Sequence, residues 1–203
     1  MKKFVSILFA ITVISLSLRA QSNDDNIQPP TLGIHFTLTD FNSAAAIRNT
    51  SLSSAFKDRE FGKIKQMSAG FALNYLNGIN KYFDFSATLG GCFLQYPFRD
   101  EQTYVDNDHF LLEATASIRG KMTPNNYWFN PYLQAGIGAS TYYGYYGAFI
   151  PFGAGMQVNL MDETFLLLNM QYRVPVTQTV NYHFLFSIGL AAKIGENKWR
   201  VKS

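Results

Sequence analysis

The feature that most constrains the fold is an alternation of apolar with small or polar residues that recurs eight times. The first copy alternates Leu32, Ile34, Phe36 and Leu38 with Gly, His and Thr residues. A period of two is typical of a β-strand with one apolar face. The eight copies cover residues 32–39, 67–75, 82–89, 109–119, 132–140, 148–159, 166–173 and 181–194.

An even number of amphipathic strands with no long helix between them predicts an all-β fold, an eight-stranded antiparallel up-and-down transmembrane β-barrel. The connections alternate in length, as in outer-membrane barrels, where the longer loops lie outside the cell. The predicted outer loops are residues 40–66, 97–107, 141–147 and 175–180. The predicted inner turns are Asn77-Gly78, a strong hairpin signal, the segment 123–130, and Asp162-Glu163.

Charge distribution indicates which face meets lipid. Charged residues make up only 15% of the chain, fewer than the 16% that are aromatic. A lipid-facing Lys or Arg costs roughly 2–4 kcal/mol at the bilayer midplane, so the charge-free apolar face is predicted to face lipid. A soluble lipocalin-like barrel alternates with the opposite orientation and stays an alternative. The strand charges all fall on the polar face: Asp84, Glu113, Arg119, Lys121, Arg173 and Lys193.

The amino-terminal residues predict export. Lys2 and Lys3 precede a mainly apolar run, residues 4–18, which is too short to span a bilayer and reads as a cleavable signal peptide, residues 1–20. Residues 21–30 are predicted to be a flexible periplasmic leader, residues 31–195 the barrel, and residues 196–203 a short periplasmic tail. The expected location is the cell outer membrane, with both termini periplasmic.

Beyond residue 20, the chain holds 14 basic and 14 acidic residues, so it is formally neutral. A nucleic-acid partner is therefore not expected. Cys92 is the sole cysteine, which excludes a disulfide framework within the chain. No catalytic residue, metal site or cofactor is predicted, because the three histidines are isolated and no catalytic motif occurs. Asp106 and Asp108 are interpreted as a solvated loop rather than a cation site.

Two groups of inward polar residues are predicted in the lumen. If opposed residues of the third and fourth strands sum to about 203, Asp84 faces Arg119, which predicts an inner salt bridge. Glu113, Arg173 and His183 are predicted to meet in the outer half of the lumen. We favour a static polar plug over a gate for this cluster.

Four tyrosines, Tyr142, Tyr143, Tyr145 and Tyr146, crowd one predicted outer loop. An aromatic girdle at the outer membrane interface is the favoured interpretation. An adhesive or ligand-stacking patch is the alternative.

The strand sequences resemble those of the small outer-membrane β-barrel family whose best-known member is the membrane domain of OmpA. The resemblance implies a non-enzymatic role in the envelope, and for some members a narrow pore or an adhesin. It covers roughly residues 31–195. A periplasmic peptidoglycan-binding domain is not expected, because only GENKWRVKS follows Ile194. The stretches that carry the resemblance are LGIHFTLTDF, MSAGFALNYLNGI, NPYLQAGIGAS, FIPFGAGMQVNL and NYHFLFSIGLAAKIG.

The sequence therefore predicts a non-enzymatic barrel with a structural or surface-interaction role through its outer loops. The expected partners are outer-membrane lipid, lipopolysaccharide and the barrel insertion machinery, and the expected state is a monomer. A narrow small-solute pore, a lipid-modifying barrel enzyme using His109 or His183, and a soluble lipocalin-like binder are the alternatives.

Overall fold

A computed structural model describes residues 27–57, 61–98, 107–125, 127–161 and 164–194. The predicted signal peptide, residues 21–26 and the predicted tail lie outside them. Eight antiparallel strands form a closed barrel, in which each strand pairs with its neighbours in sequence and the last pairs with the first. The predicted fold is confirmed. The strands are β1 (Thr31–Asp40), β2 (Ser68–Gly78), β3 (Phe83–Leu94), β4 (His109–Lys121), β5 (Phe129–Tyr142), β6 (Tyr145–Met161), β7 (Thr164–Pro175) and β8 (His183–Lys193).

The connections give the barrel two unlike ends. Residues 79–82, 122–128 and 162–163 join strands at the short-turn end, where β1 also begins and β8 ends. Residues 41–67, 95–108, 143–144 and 176–182 join strands at the other end, called the long-loop end below. The two longest connections, 41–67 and 95–108, lie at the long-loop end, as the sequence predicts. The predicted outer loop 141–147 is wrong, because β5 and β6 extend through it and leave a two-residue turn at residues 143–144.

The described part of the connection from β1 to β2 contains two short α-helices, α1 (Phe41–Asn49) and α2 (Leu52–Lys57), and a short 3-10 helix, Ile64–Gln66. Asp40 caps α1, because its carboxylate accepts from the backbone N–H of Ser43 at 2.9 Å and from the Ser43 hydroxyl at 2.6 Å. The Ser43 hydroxyl in turn accepts from the N–H of Gly62 at 2.9 Å. This one cap ties both the start and the return of the loop to the end of β1. No helix in the described part of the chain is long and apolar enough to cross a membrane.

The predicted hairpin turn at Asn77-Gly78 is wrong. β2 runs on through Gly78, which pairs with Asp84, and the chain reverses over residues 79–82. Asn80 stabilises the reversal, since its side-chain oxygen accepts from the N–H groups of Tyr82 and Phe83, both at 2.8 Å. Gly78 is needed instead for close approach, because a Cβ there would lie 2.7 Å from the backbone nitrogen of Gln28. The predicted turn at residues 162–163 lies outside the described residues.

The apolar face of the strands points outward. Ile34 is 63% exposed and Phe71 is 68% exposed, whereas His35 and Ala72 beside them are buried. The prediction that the polar face lines the interior is confirmed. A lipocalin-like barrel has its apolar residues inside, so that alternative is wrong. The result is a barrel with an exposed apolar belt and a polar core.

Replacing Ile137 by lysine tests whether this belt meets lipid. Ile137 lies near the middle of β5 and Ile64 lies outside the strands, yet each is 71% exposed. In lipid vesicles we expect Ile137→Lys to lower the free energy of unfolding by about 2–4 kcal/mol, because a charge enters the hydrocarbon. The matched Ile64→Lys change should cost less than about 0.5 kcal/mol. Urea titration gives both values, and equally small losses would contradict a lipid-facing belt.

Candidate functional site

The inward side chains fill the lumen at successive levels. Glu113 on β4, Arg173 on β7 and His183 on β8 form one level, called the lumen cluster. An Arg173 Nη1 donates to the Glu113 carboxylate, and His183 Nε2 lies 3.3 Å from the other carboxylate oxygen. All three side chains are buried. The structure thus brings together the three residues that the sequence placed in the outer half of the lumen.

Neighbouring groups hold the lumen cluster in place. Arg173 and His183 are register partners, while the Glu113 carboxylate comes from β4. The Arg173 guanidinium lies over the ring of Phe149, 4.9 Å from its centroid. His183 Nδ1 lies 2.9 Å from the backbone oxygen of Asn181. The adjoining interior space has a volume of only about 10 Å³, which holds at most one water molecule.

Closer to the short-turn end, Asp84, Arg119, Lys121 and Tyr132 form the inner cluster. The register pairs Asp84 with Arg119, as the sequence predicts. The predicted ion pair between them is wrong, because the partner of Asp84 is Lys121, whose Nζ lies 2.9 Å from the carboxylate. Arg119 turns away and lies over the ring of Tyr132, 4.4 Å from its centroid. Lys121 replaces it because it is two residues along β4, on the same face of the strand.

The short-turn end is closed by residues that the sequence assigned to a flexible leader. Gln28 is fully buried, and its side-chain oxygen accepts from Asn125 at 2.7 Å and from Gln157 at 3.0 Å. Its amide nitrogen donates to the Thr31 hydroxyl at 2.9 Å. The leader prediction is therefore wrong for residues 27–30, because buried amides on the turn and on β6 give Gln28 partners. Residues 21–26 lie outside the described residues.

The long-loop end is closed by an aromatic cap, formed by Phe41, Tyr96, Phe98 and Tyr142. The Phe41 ring lies 4.8 Å from the His183 ring and 5.1 Å from the Tyr96 ring, centroid to centroid. The Tyr142 hydroxyl donates to a β3 carbonyl at 2.9 Å, and the Tyr96 hydroxyl accepts from a backbone N–H at 3.0 Å. Burial raises the pKa of Tyr96 above its usual range, so its hydroxyl stays protonated at neutral pH.

The four tyrosines of the β5–β6 hairpin divide into two groups. Tyr142 points into the aromatic cap and is 3% exposed, so the girdle interpretation is wrong for this residue. Tyr143, Tyr145 and Tyr146 are exposed at the long-loop end, and the ring of Tyr143 lies 4.3 Å from that of His109. We call these three the tyrosine patch.

Tyr143 occupies an unfavourable backbone conformation. Its φ is +47° and that of the next residue, Gly144, is +84°, which makes the hairpin a two-residue turn with both central residues left-handed. Glycine adopts this conformation freely, but a bulky residue in it costs roughly 1–2 kcal/mol. A large exposed side chain is therefore held at a position where the fold favours Gly or Asn.

The remaining candidate residues lie apart. Asp106 lies outside the described residues, and within the parts of the chain that are described no group of His, Cys, Asp and Glu could hold a metal ion. Ser140 pairs with Glu113, four residues along β4 from His109. Ser187 is on β8, on the other side of the barrel from β4. Neither serine forms a hydrogen-bonded pair with His109.

The fold is similar to those of small outer-membrane barrels of known structure. Neisserial surface protein A is 13% identical, with a TM-score of 0.53, over 81% of this chain and 97% of that one. The N-terminal β-barrel domain of Pseudomonas aeruginosa OprF is 8% identical, with a TM-score of 0.50, over 80% of this chain and 96% of that one. Neither a protein-family model nor a curated protein sequence matches the chain. The likeness shows an eight-stranded outer-membrane barrel fold.

The lumen cluster should be strongly coupled. We expect Arg173→Met to lower the free energy of unfolding by about 3 kcal/mol, because it removes the guanidinium from the buried Glu113 carboxylate and leaves that carboxylate with His183 alone. Adding Glu113→Gln removes that charge, so the double variant should be more stable than Arg173→Met alone. Urea titrations of both variants measure the difference. A double variant no more stable than Arg173→Met alone would show that the two side chains do not interact as the structure has them.

Proposed function

We propose that this protein is a non-enzymatic barrel of the outer membrane that acts through its long-loop surface. The exposed apolar belt and the filled polar core support insertion in a membrane. The long-loop end faces the outside of the cell, because longer loops lie there in outer-membrane barrels. A closed lumen then leaves the exposed loops as the part that meets other molecules.

The observation that carries this proposal is Tyr143. A bulky side chain with a positive φ at the tip of a hairpin lowers stability, and residues held in such conformations cluster at functional sites. Tyr145 and Tyr146 beside it are exposed as well. Tyrosine rings offer rigid contact area at little cost in conformational entropy, which suits a binding surface. The tyrosine patch is thus the proposed contact site for a partner outside the cell.

Replacing Tyr143 by asparagine separates stability from function. Asparagine tolerates a positive φ, so Tyr143→Asn should raise the free energy of unfolding by about 1 kcal/mol. The same change should reduce the adherence of intact cells to surfaces coated with polysaccharide or protein. Tyr127→Asn is the matched control, because Tyr127 is similarly exposed at the short-turn end. Unchanged adherence on both kinds of surface would sink the proposed role of the tyrosine patch.

A narrow solute pore is the second candidate, and the lumen argues against it. The aromatic cap, the lumen cluster, the inner cluster and Gln28 block the path in turn. Each level is held by hydrogen bonds, ion pairs or ring contacts between different strands or loops, so opening the path requires several of them to break.

In planar bilayers the unmodified protein should therefore give no conductance steps. The measurement needs protein whose mobility on gels shifts with heating, which verifies a folded barrel. Weakening the aromatic cap by Phe41→Ala should leave the bilayer closed, because the lumen cluster, the inner cluster and Gln28 still block the path. Stable open channels formed by the unmodified protein would contradict the closed lumen.

A further inference from the structure

The outward face of the barrel carries a groove that the proposed function does not use. It crosses β6, β7, β8 and β1 and has a volume of about 340 Å³. Phe36, Met156, Met170 and Ile188 line it with apolar surface. Its floor is low at Ala154, whose small side chain points outward. Because the groove lies within the apolar belt, it suits a long, thin apolar group.

The groove lies below a loop that is bent down over the barrel wall. Phe61 packs on Phe184 and Phe186, with ring centroids 5.4 and 6.2 Å apart, and Phe186 also lines the groove. Arg48, at the end of α1, lies 4.0 Å from the ring centroid of Tyr182. Tyr182 is four residues from Phe186, or about 13 Å along the chain, so the guanidinium lies on the long-loop side of the groove.

The same loop is positively charged. Residues 41–66 contain five basic and two acidic residues, whereas the chain beyond residue 20 is formally neutral. The net charge of +3 on this loop is therefore balanced by acidic residues elsewhere in the molecule. Basic residues at a membrane surface attract anionic headgroups, by about 1 kcal/mol each. An apolar groove in the belt with a cationic group above it complements a lipid that has an anionic headgroup.

We propose that the groove binds one acyl chain of lipid A, the phosphorylated lipid of the outer leaflet, with Arg48 at a headgroup phosphate. This inference rests on the proposed location in the outer membrane. Inside a bilayer, apolar surfaces associate through close packing rather than through exclusion of water. A fixed groove gains those contacts only if a chain fills it. Arg48, on the long-loop side of the groove, then selects an anionic lipid over a zwitterionic one.

A second copy of the protein fits the groove less well. Two barrels joined through this face would bring two loops of net charge +3 together. Like charges across an interface oppose association. A lipid with an anionic headgroup has the complementary charge, so lipid is the occupant that the surface favours.

The experiment is native mass spectrometry of the full protein in nanodiscs that contain lipid A and phosphatidylethanolamine. Ala154 lines the groove and points outward, so Ala154→Phe should fill it and reduce the lipid A that stays bound. Ala139→Phe is the matched control, because Ala139 is also exposed but is on β5, away from the groove. Arg48→Gln should reduce retained lipid A about fivefold. Lys65→Gln, an exposed change of the same charge in the same loop, should not.

The outcomes separate the two proposals. Retention of lipid A over phosphatidylethanolamine that falls with Ala154→Phe and Arg48→Gln but not with their controls supports the groove. Equal retention of the two lipids, or equal losses in variants and controls, overturns the groove proposal. A dimer that Ala154→Phe dissociates overturns it as well. In each of those cases, heat-shifted mobility on gels still shows a folded membrane barrel. A protein that never inserts would instead overturn the proposed function itself.

Discussion

Closure of the backbone hydrogen-bond ladder is the constraint on which the rest of the structure depends. A strand in lipid has no water to satisfy an unpaired N–H or C=O, so a sheet that spans a membrane must have no edge. Here β8 pairs with β1 over ten residue pairs, which leaves no free edge in the barrel. With eight strands, the interior is just wide enough for side chains to fill it. The alternation of the sequence then follows, since one face of every strand meets lipid and the other meets the core.

A polar core places charges where they must be paired. Glu113 meets Arg173 and His183, and Asp84 meets Lys121, so each buried carboxylate in these two clusters has a cationic partner. Burying an ion without a partner costs several kcal/mol, which well-placed partners on facing strands offset. The pairs also fix which strands face each other across the lumen. Filling and pairing together leave little continuous space, so the conditions that stabilise this small barrel also close it.

The sequence predicts what depends on the backbone and misses what depends on side-chain reach. The period of two marks every strand. The centre of each predicted hairpin places Asp84 opposite Arg119 and Arg173 beside His183, because one fixed pair sets the whole register of two antiparallel strands. The predicted partner of Asp84 was wrong because the long side chain of Lys121, two residues along β4 from Arg119, reaches the same carboxylate.

Gln28 and the cap residue Phe41 were missed for a related reason. Both act through contacts with segments distant in sequence, and no local pattern encodes those contacts. Whether a polar segment can close an end of the barrel depends on the space that the other strands leave there. That space is defined only in the folded chain. The choice of residue is less constrained by the fold at the surface. Tyr143 keeps a side chain that its backbone conformation disfavours, and Arg48 lies on the outer wall rather than in the core. Neither residue contributes to closure or to filling the lumen, and for that reason the proposed contacts with a partner and with lipid are assigned to them.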